Sequence, residues 1–316
     1  AVEAAIVSLD PNDGAVRALV GGFDFQKNKF NHVTQAWRQP GSSFKPFIYS
    51  AALEKGFTPA TIINDGPLSF NANQTGSQLW EPKNFDGKYD GPVRMRTALV
   101  KSKNLVSIRI LQAIGVHYAQ DYISRFRFDG HRPPAYLPMA LCSGSVSPMQ
   151  MAVGYSVFAN GGYRIAPYFI KKIEDEKGNV LEQFQPVSTS NGAKRVIDPR
   201  NAFIMTNMMQ DVINFGTAVK AKQLGRTDLA GKTGTTSNYI DAWFCGYQKN
   251  LVTISWMGYD EPKSLGSNET GGRVALPIWM DYMKSVMKDV PMVDYKAPSG
   301  ITATKINSGT GFRDSS

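Results

Sequence analysis

Apolar positions recur with a period of two near both ends of the chain and with a period of three to four between them. Ala4-Ala-Ile-Val-Ser-Leu-Asp, a Pro11-Asn-Asp-Gly14 turn and Ala15-Val-Arg-Ala-Leu-Val-Gly21 predict an opening β-hairpin. Trp243-Phe-Cys-Gly-Tyr247, a turn at Lys249-Asn250 and Leu251-Val-Thr-Ile-Ser-Trp-Met-Gly-Tyr259 predict a second. Leu229-Ala-Gly-Lys-Thr-Gly-Thr-Thr236 reads as a strand that the second hairpin extends into a sheet.

Helical spacing fills the middle. Ser147 as N-cap, Pro148 at the first position and Gln150 at the third make a capping box, with Met149, Ala152, Val153, Ser156 and Val157 on one stripe and Gly161 as the stop. Asp198-Pro199 opens another helix, read as far as Met208. Trp279, Tyr282, Met283, Val286 and Met287 mark a third. These Met and aromatic stripes are read as core. Ser42 to Lys55 reads as a helix closed by Gly56, with Pro46 tolerated only because it falls in the first turn.

Strands at both ends with helices between them predict an α+β fold, an antiparallel sheet flanked by helices, rather than a doubly wound sheet. The 316 residues fit one large domain with an inserted lobe, spanning 1–290, followed by a small-residue, polar extended tail over 291–316. Residues 57–92, rich in Asn, Asp, Gly and Pro, read as a long irregular excursion near the site or as plain surface loop.

Charge changes little. The formal net charge of +9 suits an anionic cell wall or membrane surface, and equally suits solubility alone. Basic residues are scattered apart from Lys171-Lys172, which speaks against nucleic acid as a partner. Cys142 and Cys245 sit in an apolar segment and a predicted strand and read as small buried hydrophobes, with a disulfide left open by sequence. No metal-ligand cluster is visible, and the reading calls for no cofactor.

The chemistry lies in three short strings in fixed order: Ser42-Ser-Phe-Lys45, Ser102-Lys-Asn104 and Lys232-Thr-Gly-Thr235. A serine hydroxyl needs a proton acceptor within reach before it can act as a nucleophile. His32, His117 and His131 lie in unrelated contexts, so a lysine is the better base. Lys45, three residues from Ser42, shares its face of the helix. Burial and a second cation, Lys232, are the two physical means of lowering its pKa. Thr233 and Thr235 alternate onto one face of their strand, and Gly234 between them lets another element or a substrate approach the backbone. The N–H groups of Ser42, at a helix start, and of Thr235 could stabilise an oxyanion. Ser43 is the competing nucleophile, but three residues beyond it stands Pro46.

With their flanks, Gln39-Pro-Gly-Ser-Ser-Phe-Lys-Pro-Phe47, Thr97-Ala-Leu-Val-Lys-Ser-Lys-Asn104 and Gly231-Lys-Thr-Gly-Thr-Thr-Ser-Asn-Tyr-Ile-Asp-Ala-Trp-Phe244, these strings resemble the transpeptidase domain of class A, bifunctional penicillin-binding proteins, most closely the 1a type. Trp80-Glu-Pro-Lys-Asn84 and the 147–162 segment carry the resemblance over residues 1 to about 290. It implies a penicillin-recognising serine transpeptidase fold with a mostly helical inserted lobe and the active site between lobe and sheet. It further implies Ser42 as the acylated nucleophile, Lys45 as base, and Ser102 and Lys232 as the proton relay to the leaving amine. Asn104 would hold the substrate amide, and Thr233, Gly234 and Thr235 would bind the donor, the two threonines its carboxylate. The implied partners are peptidoglycan peptide stems ending in D-Ala-D-Ala, an acceptor amine, and β-lactams as covalent ligands.

Ala1 opens almost inside a strand, with no signal peptide before it and no apolar run of membrane-spanning length, so the chain reads as excised from a longer protein. The resemblance implies a membrane helix and a glycosyltransferase domain ahead of it, and a place on the periplasmic face of the bacterial inner membrane. Three rival readings meet objections in the sequence. A nucleotide-binding loop ending in Gly231-Lys232-Thr233 fails because position 226 is Arg, the glycine standing at 225. A non-catalytic cell-wall scaffold predicts damaged motifs, and all three are intact. A β-lactamase or D,D-carboxypeptidase would hand the acyl group to water, but the E-x-x-L-N string of class A β-lactamases does not occur.

Overall fold

The computed structural model describes residues 1–21, 37–75, 78–128, 135–141, 144–169 and 172–306. His32, His131, Cys142, Lys171 and the last ten residues of the tail lie outside the described residues.

Both predicted hairpins form, and they join. β1 (Val2–Leu9), β2 (Val16–Gly21), β3 (Ala230–Thr235), β4 (Asp241–Gln248) and β5 (Leu251–Tyr259) make one sheet in the order β2-β1-β5-β4-β3. Every pairing is antiparallel. The first hairpin docks on the second along β1 and β5, where Val7 faces Ile254 and Leu9 faces Val252. The expected extension of the Lys232 strand into a sheet is thus observed, with β3 at the edge.

Both faces of the sheet are covered, and the period of two sorts residues between two cores. Ala5, Val7, Leu9, Trp243, Cys245, Tyr247, Val252, Ile254 and Trp256 face one cluster, shared with α1 (Lys45–Glu54) and α5 (Pro148–Ala159). Phe244 and Leu251 face the other, with Trp279 and Met283 of α7 (Leu276–Val286). Ser8, Thr253 and Ser255 are buried on this second face and hydrogen-bonded, Ser255 Oγ to the Ala275 carbonyl at 2.7 Å and Ser8 Oγ within 3.2 Å of Thr253 Oγ1.

α5 has the expected capping box, Ser147 accepting from the Gln150 N–H. Its single expected stripe is corrected: Met151 to Ala159 are all buried, because the helix runs between the sheet and the other helices and is enclosed on all sides. Gly154 makes room there, since a Cβ at this position would stand 2.9 Å from Phe47 Cζ. α6 (Pro199–Phe215) begins at the expected Asp198 cap but continues past Met208, burying Met209, Val212 and Ile213. The 57–92 excursion is only partly irregular, for Ile62–Asp65 pairs antiparallel with Gly91–Arg94. Beyond it, α2 (Met95–Lys101), α3 (Asn104–Ile114) and α4 (Val116–Ile123) form the helical lobe. No described helix is long and apolar enough to cross a membrane.

Among the described residues after α7, up to 306, there is neither helix nor strand, yet this segment packs back on the sheet domain. Arg226 donates to the carbonyls of Met287, Val290 and Pro291, and Tyr295 donates to that of Asp228 at 2.9 Å.

Candidate active site

The first motif is a 3-10 turn, Gly41–Phe44, that runs into α1 at Lys45, so the helix starts three residues later than the sequence predicts. Side chains three apart in such a turn eclipse one another, which keeps Ser42 and Lys45 on the same side. The turn is clamped from behind. Phe44 is buried against Phe47 and Phe128, and Tyr155 donates to the Ser43 carbonyl. Ser43 is fully buried and its hydroxyl donates to the Pro40 carbonyl at 2.6 Å, whereas Ser42 is half-buried. Of the two serines, only Ser42 is left partly exposed.

Lys45 is wholly buried. Its Nζ donates to the Ser102 carbonyl at 3.0 Å, to Ser102 Oγ at 3.1 Å and to Asn104 Oδ1 at 2.7 Å. Two of these partners, the carbonyl and the amide oxygen, can only accept. Ser102 caps α2 in the left-handed region at φ 57°, ψ 51°, a conformation uncommon for a residue with a side chain. That geometry turns its carbonyl and hydroxyl together toward Lys45. Asn104 opens α3, and its Nδ2 donates to the Lys83 carbonyl at 2.9 Å, which fixes which amide atom meets the lysine.

Lys103, between them, faces the other way into a nest of acids, with Nζ 3.3 Å from Asp65 and 2.9 Å from Asp90. Burial works against its charge, but Asp90 and Asp65 outweigh it and raise its pKa. Asn84 completes the brace, donating to Asp65 at 2.7 Å and accepting from the Leu105 N–H.

Lys232 comes from β3, fully buried on the face it shares with Cys245 across the ladder. Its Nζ donates to Ser102 Oγ at 2.9 Å and to the Thr233 carbonyl at 3.1 Å. Ser102 Oγ therefore lies between the two amines. Burial first, and then the Lys232 charge, push Lys45 well below the ordinary lysine value. Burial lowers Lys232 to about 7. Both means of depression expected from sequence operate, and burial is the larger.

Thr233 and Thr235 lie on the opposite face of β3 from Lys232. Thr233 Oγ1 is 2.6 Å from Thr217 Oγ1, and Thr235 Oγ1 accepts from the Gly271 N–H at 3.0 Å. The closeness that Gly234 allows is to another element: a Cβ there would stand 2.5 Å from the Pro40 carbonyl and 2.9 Å from Ser43. Gly41 answers it, since its φ is +56° and a Cβ would meet the Thr235 carbonyl at 2.8 Å. Gly234→Ala is expected to push β3 off the Ser42 turn, lowering stability by about 1–3 kcal/mol. Thermal denaturation checks it; an unchanged midpoint would show that the turn and strand need not touch.

The structure thus joins Lys45, Ser102, Asn104 and Lys232 in one hydrogen-bonded cluster, with Ser42 on the turn that leads into Lys45 and with Gly234 and Thr235 packed against that turn. Sequence reading missed Thr217 and Gly271, which no local pattern marks, and Lys83, which acts through its carbonyl. Open cavities of about 330 and 540 Å³ beside Gln112 are lined by none of the motif residues. Cys245 is a buried free thiol whose pKa burial pushes up, so it serves as packing. Among the described residues no group of acids, histidines and cysteines could hold a metal ion.

Residues 4–284 match the family described as the penicillin binding protein transpeptidase domain. Penicillin-binding protein 1A of Neisseria lactamica is 52% identical over 302 residues, 96% of this chain and 38% of that protein. The chain thus spans well under half the length of such relatives. A crystal structure of penicillin-binding protein 1A from Haemophilus influenzae superposes with a TM-score of 0.94 at 36% identity, covering 100% of this chain and 52% of that one. PonA1 of Mycobacterium tuberculosis in complex with penicillin V matches with a TM-score of 0.77 at 26% identity, over 99% of this chain and 83% of that one. Fold, ordered motifs and relatives agree, and the chain belongs to the transpeptidase domain family of the penicillin-binding proteins, in its 1A branch.

Proposed function

We propose that this domain is a peptidoglycan D,D-transpeptidase working through an acyl-enzyme on Ser42. The observation that carries the reading is the hydrogen-bonded chain Lys45–Ser102–Lys232 beneath the Ser42 turn. Ser42 Oγ attacks the carbonyl of the penultimate D-alanine while its proton passes to Lys45 Nζ, whose depressed pKa favours the neutral amine. The oxyanion is met by the N–H groups of Ser42 and Thr235. A proton then reaches the amine of the leaving D-alanine through Ser102 Oγ, with Lys232 behind it. Attack on the ester by an amine of a second peptide stem forms the cross-link and frees Ser42.

Asn104 holds the donor's amide, and Thr233 and Thr235 receive its carboxylate. β-Lactams enter by the same route, their carboxylate and strained amide standing in for the donor end. In the full-length protein the domain would lie on the periplasmic face of the inner membrane, anchored by a segment outside this chain.

Intact-mass spectrometry after incubation with benzylpenicillin, with peptide mapping, tests the reading. The expected result is one adduct on Ser42 that decays far more slowly than it forms. Rapid loss with turnover would favour a β-lactamase, and no adduct would favour a non-catalytic scaffold.

A further inference from the structure

The segment that leads into the Ser42 turn is held on both sides. Arg38 exchanges both backbone hydrogen bonds with Val146, just ahead of α5, at 2.9 and 2.8 Å, and the Gln39 carbonyl accepts from Trp243 Nε1 at 2.8 Å. A further tie is ionic. Arg38 Nε donates to Asp241 Oδ1 at 2.6 Å, Nη1 donates to the Tyr259 carbonyl at 2.7 Å, and the guanidinium lies over the Trp256 ring, 4.9 Å from its centroid. Trp256 Nε1 donates to the same Asp241 oxygen at 2.9 Å. Gly258, paired with Asp241 in the ladder, leaves the room that the guanidinium fills, since a Cβ there would stand 2.9 Å from Nη2.

Asp241 holds two segments at once. Its side chain binds Arg38, four residues ahead of Ser42. Its backbone binds the end of β3, the Asp241 N–H donating to Thr236 Oγ1 at 2.9 Å and the Thr236 N–H donating to the Asp241 carbonyl at 3.1 Å. One residue thereby joins the approach to Ser42 to the peptide that follows Thr235.

Stability is a poor account of the pair. Both side chains are buried, burial raises the Asp241 pKa even with Arg38 and Trp256 beside it, and Arg38 Nη2 has no hydrogen-bond partner among the described residues. A buried ion pair gains little or nothing over an apolar pair of the same shape, and an orphaned donor adds to the cost. What the guanidinium supplies is a rigid fork whose hydrogen bonds have set directions.

We propose that Arg38 and Asp241 are positioning residues for the acylation step, their ion pair fixing the spacing between the Ser42 turn and the end of β3, and so between the two N–H groups that meet the oxyanion. This rests on the proposed acylation of Ser42. Donors drawn from two separate segments stabilise the oxyanion only while both stay at hydrogen-bond distance from the place where its charge develops. Loss of the pair is therefore felt in the rate of bond formation rather than in binding.

Rapid-quench acylation by benzylpenicillin over a concentration series separates the acylation rate constant from the dissociation constant of the complex that precedes it. Asp241→Asn keeps the shape of the side chain but leaves Arg38 without its counter-charge, whereas Arg38→Met/Asp241→Asn removes both charges. In each, assayed well below its melting midpoint, the rate constant is expected to fall about 10–10²-fold while the dissociation constant changes by less than about twofold. The double variant strands no charge, so it carries the test if the single variant does not fold. An unchanged rate constant in a folded variant, or a loss that lies in the dissociation constant alone, overturns the proposal and leaves the pair as packing. Failure of the wild-type protein to label at all would instead sink the acylation reading underneath.

Discussion

Ser42→Ala is expected to abolish covalent labelling by benzylpenicillin, with the acylation rate down by at least about 10⁴. No second hydroxyl can take over. Ser43 is turned inward onto Pro40, and Ser102 Oγ is engaged by both lysines. Ser43→Ala is the matched control: labelling should persist while stability falls by about 0.5–1.5 kcal/mol, because the buried Pro40 carbonyl loses the hydroxyl and keeps only the Ser43 N–H at 3.3 Å. Labelling that survives Ser42→Ala, or disappears in a folded Ser43→Ala, would reverse the assignment of nucleophile.

The second large effect is on pH. Lys45 and Lys232 both have folded-state pKa values below the unfolded lysine value of about 10.4. The unfolded chain therefore binds more protons than the folded one, and stability rises with pH. That contribution is complete above about 10.4 and is lost as pH falls through about 7, where Lys232 takes its proton. The same proton sets a cation beside Ser102 and removes the vacancy that the relay needs. Acylation of the wild-type protein should thus fall on acidification below about 7. Lys45→Met should lower it by about 10²–10⁴, and its thermal midpoint should vary less with pH than that of the wild type. Stopped-flow acylation across a buffer series reads the rate, and calorimetry reads the midpoint. A wild-type rate independent of pH between about 5.5 and 8.5 would exclude Lys232, which takes its proton at about 7, from the relay.

Much of this was legible because it is local. The two hairpins declare themselves by alternation and turn residues, and α5 by Ser147, Pro148 and Gln150. The motif strings fix which side chains matter, and their alternation in β3 already separates Lys232 from Thr233 and Thr235. What was missed is of two kinds. Some signals were present but read short: α6 runs on through Met209, Val212 and Ile213 to Gly216, and the β-branched pair Ile62-Ile63 opens a strand inside a polar stretch. Other features have no local signature. That Thr217 meets Thr233, that the Lys83 carbonyl orients Asn104, and that Ser102 sits in the left-handed region all follow from segments far apart in sequence being packed together. The uniform burial of α5 is likewise a property of its neighbours.

The strand order sets a timetable for the nascent chain. β1 lies beside β5, pairing Val2 with Tyr259 and Leu9 with Val252, so the first strand made must wait some 250 residues for its partner. At translation rates of about 5–20 residues per second the wait is roughly 10–50 s. Until then β1 and β2 are an isolated hairpin, marginal in water, with Val7 and Leu9 uncovered. The lysine cluster is equally late, because Lys232 comes only with the last third of the domain. Ser42 is synthesised early, but its proposed relay assembles only when sheet closure does, and a chain stalled before β5 would carry the proposed nucleophile without its relay and an open strand edge for chaperones to shield.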